Sequence, residues 1–289
     1  MSSNQPIGVF DSGVGGLSVV KQMLAQLPDE YIVYFGDTAR VPYGSRTSNE
    51  IIAFGEQIVS FLLRFDVKAV VAACNTSSSV SLPVLRENCP VPVLGVVEPG
   101  VRAALEATHN RQIGVMATAA TVNSGAYSRC FQAYDPGVTV YTLACPRFVP
   151  LVEAGRIDGP EVRAIARQYL QPLREAGVDT IVLGCTHYPF LAPVIEELAG
   201  EAITVVDPAK ETVKELSALL ASLPPGSSRS NAASGVDSKA AEPERHRFFA
   251  SGAVNSFYSS GRQFLGNFPF RVEQVNLDEI DSKCSTGGQ

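Results

Sequence analysis

The chain has no run of the roughly 18 apolar residues that a membrane-spanning helix needs, and no basic start or long hydrophobic stretch before its first apolar strand at Ile7. No membrane partner is expected, and the reading places the protein in the cytoplasm. It also lacks a basic excess, with 23 Lys and Arg against 29 Asp and Glu and a net charge of −6. Such a chain offers a phosphate backbone no cationic face, so no nucleic acid partner is expected. No C-x-x-C pair occurs, and six cysteines in 289 residues fit reduced thiols better than a disulfide framework. Lysine is scarce, its six copies scattered and none beside the motifs described below, which leaves a pyridoxal Schiff base without an anchor. His109 and His246 are read as a helix end and part of a polar insertion, so no metal-ligand set is expected and the metal assignment is none.

Apolar runs at 7–10, 31–35, 69–73 and 93–97 alternate with amphipathic, helix-like stretches. The rhythm resumes at 113–117, 138–143, 180–183 and 203–206. Continuous β-branched runs separated by helical patterns mark strands buried on both faces of a parallel sheet, so the fold class is α/β. The second set also looks like a copy of the first. I-G-V-F-D-S from 7 matches I-G-V-M-A-T from 113, A-C-N-T from 73 matches G-C-T-H from 184, and V-V-E-P from 96 matches V-V-D-P from 205. Cys74 lies 67 residues after Ile7, and Cys185 lies 72 after Ile113. Ordered matches at nearly constant spacing indicate an internal duplication. The expectation is two pseudo-symmetric α/β domains with mostly parallel central sheets and an active site in the cleft between them. Residues 1–97 with 208–289 would form the first domain and 98–207 the second. Residues 223–246, rich in Ser, Ala, Gly and Pro, read as a flexible insertion. R-F-F-A-S-G from 247 and R-V-E-Q-V from 271 restore strand character and return the chain to the first domain, before a tail expected to fray.

Cys74 and Cys185 each end an apolar strand, where open α/β sheets bind ligands. One such cysteine is ordinarily packing, but two at equivalent positions of a duplicated half point to chemistry. Cys89, Cys130, Cys145 and Cys284 have no such symmetry and read as packing. His187, two residues past Cys185, is close enough to share its proton or to serve as a loop cap. Asp11-Ser12-Gly13-Val14-Gly15-Gly16 follows the first strand and opens a helix, which raises a dinucleotide site with Asp37 as the ribose acid. Ser18 in place of the third glycine and the carboxylate of Asp11 count against it. A Cys-His hydrolase would leave Cys74 unexplained. Two thiols flanking a cleft suit inversion of a stereocentre, one removing a proton while the other returns one.

The motifs D-S-G-V-G-G-L-S-V at 11–19, F-G-D-T-A-R-V-P-Y-G at 35–44, A-C-N-T-S-S at 73–78, A-C-P-R-F-V-P-L-V-E at 144–153 and G-C-T-H-Y-P at 184–189 together resemble the bacterial glutamate racemases of the aspartate/glutamate racemase superfamily. The likeness runs over residues 5–221. It implies a cofactor-independent isomerase, needing no cofactor or metal, that interconverts L-glutamate and D-glutamate for peptidoglycan and cell-wall synthesis. Carried over by position, Cys74 takes the proton from the D-enantiomer and Cys185 from the L-enantiomer, assisted by Asp11, His187 and Glu153. Asp11, Ser12, Tyr43, Gly44, Asn75, Thr76, Thr118, Thr121, Thr186 and His187 would line the substrate, Asp11 holding its ammonium. A homodimer is compatible with the resemblance. An aspartate or hydantoin racemase, a decarboxylase of the same superfamily and a two-lobed amino-acid-binding protein remain open at this point.

Overall fold

The structure is a computed structural model that describes residues 5–223 and 245–281. Four apolar runs of the first half become β1 (Ile7–Asp11), β2 (Ile32–Gly36), β3 (Ala69–Ala72) and β4 (Val93–Gly95). Those of the second half become β5 (Gln112–Ala117), β6 (Thr139–Ala144), β7 (Thr180–Gly184) and β8 (Thr204–Val206). Two more strands, β9 (Arg247–Ala250) and β10 (Val272–Gln274), follow near the C-terminus. They build a six-stranded sheet in the order β10-β9-β2-β1-β3-β4 and a four-stranded sheet in the order β6-β5-β7-β8. Every pairing is parallel.

The order β2-β1-β3-β4 is repeated as β6-β5-β7-β8, so the sequence repeat is also a repeat of topology. Among the described residues only the first sheet grows further, β9 pairing beside β2 with Val33 opposite Arg247. The central strands are buried end to end, as continuous apolar runs in parallel sheets require. Alternate side chains serve opposite faces. Ile7 and Val9 enter a core shared with Met116, Ile181 and Leu183 of the other sheet, whereas Phe10, Val33 and Phe35 pack with Val70 and Phe249 on the far face. The shared core fixes how the two sheets sit against each other.

The structure trims two sequence readings. The run at 93–97 stops being a strand at Gly95 because the Val96 N–H donates to Ser78 Oγ, and the helix Val97–Ala107 starts there. His246 was read within the polar insertion, yet it is buried and packs edge-on against Phe268, leading directly into β9. The rest of the expected flexible insertion, residues 224–244, and the expected fraying tail from residue 282 lie outside the described residues.

Candidate active site

Register decides where the site is. Ile7 pairs with both Ile32 and Ala69, and Ile113 with both Val140 and Thr180, so the carboxyl ends of each set of strands finish side by side. Ser12 follows β1 and Cys74 closely follows β3. Thr118, Cys145 and Cys185 follow β5, β6 and β7. All of these border one cleft of about 390 Å³ between the two sheets, the usual ligand position of open α/β sheets. Tyr43, Gly44, Asn75, Thr76, Glu153, Thr186 and His187 complete the predicted part of its lining.

Cys74 is nearly buried and forms the N-cap of the helix Asn75–Val80, its Sγ accepting the Ser77 N–H at 3.5 Å. The thiol can donate to Ser12 Oγ at 3.6 Å. Burial, with the Asp11 carboxylate adding to it, pushes this thiol up to about 12, so it rests protonated. Its counterpart is framed differently. Cys185 Sγ lies 3.8 Å from His187 Nδ1, and His187 Nε2 lies 3.3 Å from Glu153 Oε1. Burial alone would discharge this imidazole. Cys185, Glu153 and Asp11 outweigh that effect and push it up to about 10, which favours the imidazolium at neutral pH.

Asp11 lies behind the lining, not in it. Fully buried at the end of β1, it accepts the Gly13 N–H at 3.0 Å and the Thr186 hydroxyl at 3.3 Å. Burial pushes its carboxyl above the usual range, opposed chiefly by His187. Thr121 is also outside the lining, where it closes a ring of hydroxyls with Thr118 (3.1 Å) and Thr76 (3.2 Å) that joins the two halves. The glycine loop is packed against the second half. A Cβ on Gly15 would come within 2.4 Å of Thr186 Oγ1 and 2.5 Å of His187 Nδ1, and one on Gly16 within 2.5 Å of Asp11 Cβ. Gly15 and Gly16 of D-S-G-V-G-G therefore answer to close packing of side chains, whereas Gly13 has room for a Cβ.

Asp37 departs from the ribose-acid alternative. Fully buried, it accepts the Tyr43 hydroxyl at 2.5 Å and the Ser251 hydroxyl at 2.8 Å, and pairs with Arg40 at 2.7 Å. The carboxylate is consumed in holding the Tyr43–Gly44 turn over the cleft. Cys145, read as packing, borders the cleft as well, although burial and the nearby Cys185 hold its thiol well above the usual range. Sequence reasoning missed it because its counterpart at the end of the first-half strand is Asp37. Val41, Pro42, Pro146, Val149 and Pro150, which lie within the 35–44 and 144–153 motifs but were given no role there, add apolar lining. Among the described residues no group of three or more His, Cys, Asp or Glu side chains is placed to hold a metal ion, and no helix is long and apolar enough to cross a membrane.

Comparisons with known proteins agree with the two-sheet fold. A glutamate racemase from Desulforudis audaxviator is 43% identical over 275 residues, spanning 94% of this chain and 97% of that one. A solved glutamate racemase isoform from Bacillus anthracis superposes with a TM-score of 0.84 at 38% identity, covering 94% of this chain and 98% of its own. One from Francisella tularensis, solved in complex with D-glutamate, gives 0.82 at 35% identity, covering 96% and 99%. Residues 7–216 match the Asp/Glu/Hydantoin racemase family, and the chain belongs to that family.

Proposed function

We propose that this protein is a glutamate racemase that inverts the α-carbon with two cysteine acid/bases and supplies D-glutamate for peptidoglycan. The observation that carries the reading is the pair of cysteines at equivalent strand ends, Cys74 after β3 and Cys185 after β7, bordering one cleft. In this reading residues 1–97 with 208–289 and residues 98–207 are the two domains that close on the substrate.

For the D-to-L direction, Cys74 as thiolate takes the α-proton and Cys185 returns one to the opposite face; the roles exchange for L-to-D. Charge develops on the substrate between the two sulfurs, and the hydroxyls and amides of Ser12, Asn75, Thr76, Thr118 and Thr186 stabilise its carboxylates without a bulky cation. The resting Cys74 thiol is the acid for one direction and must lose its proton to act in the other. Ser12 Oγ and the Asp11 carboxylate are the groups nearest to relay that proton. On the other side, His187 held between Cys185 and Glu153 is built to store and pass a proton. Asp11, which accepts the Thr186 hydroxyl and acts by its charge on Cys74 and His187, biases both sides and balances the substrate ammonium at one remove.

The test is racemisation of each enantiomer without added cofactor, followed by circular dichroism. Cys74→Ser and Cys185→Ser should each lower racemisation by at least about a thousandfold, since a hydroxyl is a poor base at neutral pH. In deuterated water, early product should carry deuterium at the α-carbon while unreacted substrate keeps its proton. Early label in the substrate, or near-normal racemisation by either serine variant, refutes the two-base assignment.

A further inference from the structure

Asn75 follows Cys74 directly and borders the cleft, yet among the described residues its side chain is hydrogen-bonded only by the other half of the molecule. Its Oδ1 accepts a hydrogen bond of 2.7 Å from the hydroxyl of Tyr127, which sits on the helix Ala126–Tyr134 of the second half. The phenol is buried. Its ring edge lies against Gly184, where an added Cβ would meet Tyr127 Cε2 at 3.2 Å, so the same ring touches the residue just before Cys185. One side chain therefore contacts both cysteine-bearing strand ends.

A carboxamide is nearly symmetrical in shape but opposite in polarity at its two ends, so what holds it decides what it offers a ligand. Here the phenol proton has no other acceptor among the described residues, and a buried donor without a partner is costly. Donation to Oδ1 satisfies it. Burial, aided by Cys130, Cys185 and Asp207, keeps the phenol well above its ordinary titration range, so the donor persists at every working pH. With Oδ1 engaged, Nδ2 is the end left for a ligand, and it makes no hydrogen bond within the described residues.

We propose that Tyr127 is a positioning residue that fixes the Asn75 carboxamide with its N–H donors available to a substrate carboxylate. The donor belongs to one half and the clamp to the other, so the first half presents its carboxylate-binding amide correctly only when the second half is docked. The inference rests on the reading of the cleft as a glutamate site and adds to it the residue that orients one of its binding groups.

The experiment is a double-mutant cycle on the full chain, with KM and kcat measured for both glutamate enantiomers. Tyr127→Phe should raise KM about tenfold, the value of one lost or misdirected hydrogen bond to a charged group, with kcat within about threefold and the melting temperature within about 5 °C. Asn75→Ala should raise KM at least as much, and adding Tyr127→Phe to it should change KM by less than about twofold, because the phenol then has nothing to orient. Replacing Tyr127 by 4-aminophenylalanine, which keeps an N–H donor at the same place, should return KM toward that of the unaltered enzyme. An unchanged KM in Tyr127→Phe overturns the proposal. So does an equal further loss in the Asn75→Ala background, which would make the ring a packing element. Should Tyr127→Phe fail to fold, the 4-aminophenylalanine variant decides: a near-normal KM supports the clamp and a tenfold rise refutes it. Inactivity of the unaltered chain on glutamate sinks both this inference and the functional reading, whereas activity with an unchanged KM in the variant sinks this inference alone.

Discussion

Replacing Gly15 by alanine adds one methyl group where the first half packs closely on Thr186 and His187 of the second. The new Cβ would stand 2.4 Å from Thr186 Oγ1, 2.5 Å from His187 Nδ1 and 2.6 Å from His187 Cε1, whereas ordinary contact begins near 3.4 Å. About 1 Å of separation is missing, and both neighbours are buried side chains beside the reacting sulfur. If the protein keeps its geometry, the overlap costs about 1–3 kcal/mol of stability, a fall in melting temperature of roughly 2–10 °C. If it relieves the overlap by moving Thr186 and His187, a displacement of about 1 Å at the catalytic constellation costs about a hundredfold in kcat/KM, or about 2.7 kcal/mol. Gly15 has no left-handed backbone conformation to lose, so the effect is one of contact. Gly13→Ala is the matched control, because its Cβ meets nothing nearer than Val41 Cγ2 at 3.9 Å. Thermal melts and steady-state racemisation of both variants give the answer. Gly15→Ala with kcat/KM within about threefold of the parent and an unshifted melting temperature would refute the argument.

Asp207 caps the helix Pro208–Ser222 through Ala209 N, and burial pushes its carboxyl up from 3.8 to about 6. A raised folded value means that the fold favours the protonated acid, so the contribution is complete below about 3.8 and is lost as pH rises through about 6. Asp207→Asn keeps a good cap and should therefore gain about 1–2 kcal/mol at pH 7.5 and nothing at pH 3.5; denaturant melts at the two values test this. Glu153→Gln removes one of the groups that hold the His187 imidazole near 10, so its titration, followed by NMR of the ring carbons, should move down. Half-exposed Glu153 is screened, and the expected movement is about half a unit to one unit; an unmoved titration would remove Glu153 from the relay.

The repeat was legible because its signal is chemical as well as periodic. A-C-N-T and G-C-T-H carry the same cysteine to the ends of β3 and β7, and fixed spacing did the rest. The cleft lining followed, since residues just past a strand end in a parallel sheet have only one place to go. What stayed hidden lies in side chains whose partner is remote in sequence. Asn75 and Tyr127 are 52 positions apart, and nothing in either local pattern joins them. Asp11 reads as a strand-tip acid facing a ligand, but the inward turn of its side chain onto Gly13 and Thr186 is set by the second half. Cys145 escaped because duplication as a criterion selects shared features, and the halves differ there. The same divergence gives Cys185 a histidine where Cys74 has Thr76, so the two thiols have unlike surroundings on a symmetrical frame.

The late strands β9 and β10 have a consequence for how the chain is made. The second sheet is contiguous, closed between Gln112 and Val206, and can form as soon as that stretch has emerged from the ribosome. The first sheet cannot. Its strand β2, buried on both faces in the finished protein, has nothing on one side until Arg247–Ala250 arrives more than 200 residues later. Throughout that interval the nascent chain carries an apolar strand edge open to pairing with other chains, the configuration that leads to aggregation during synthesis. The earlier half in sequence is thus the later half to be completed, and the yield of soluble enzyme depends on how quickly the end of the message is reached.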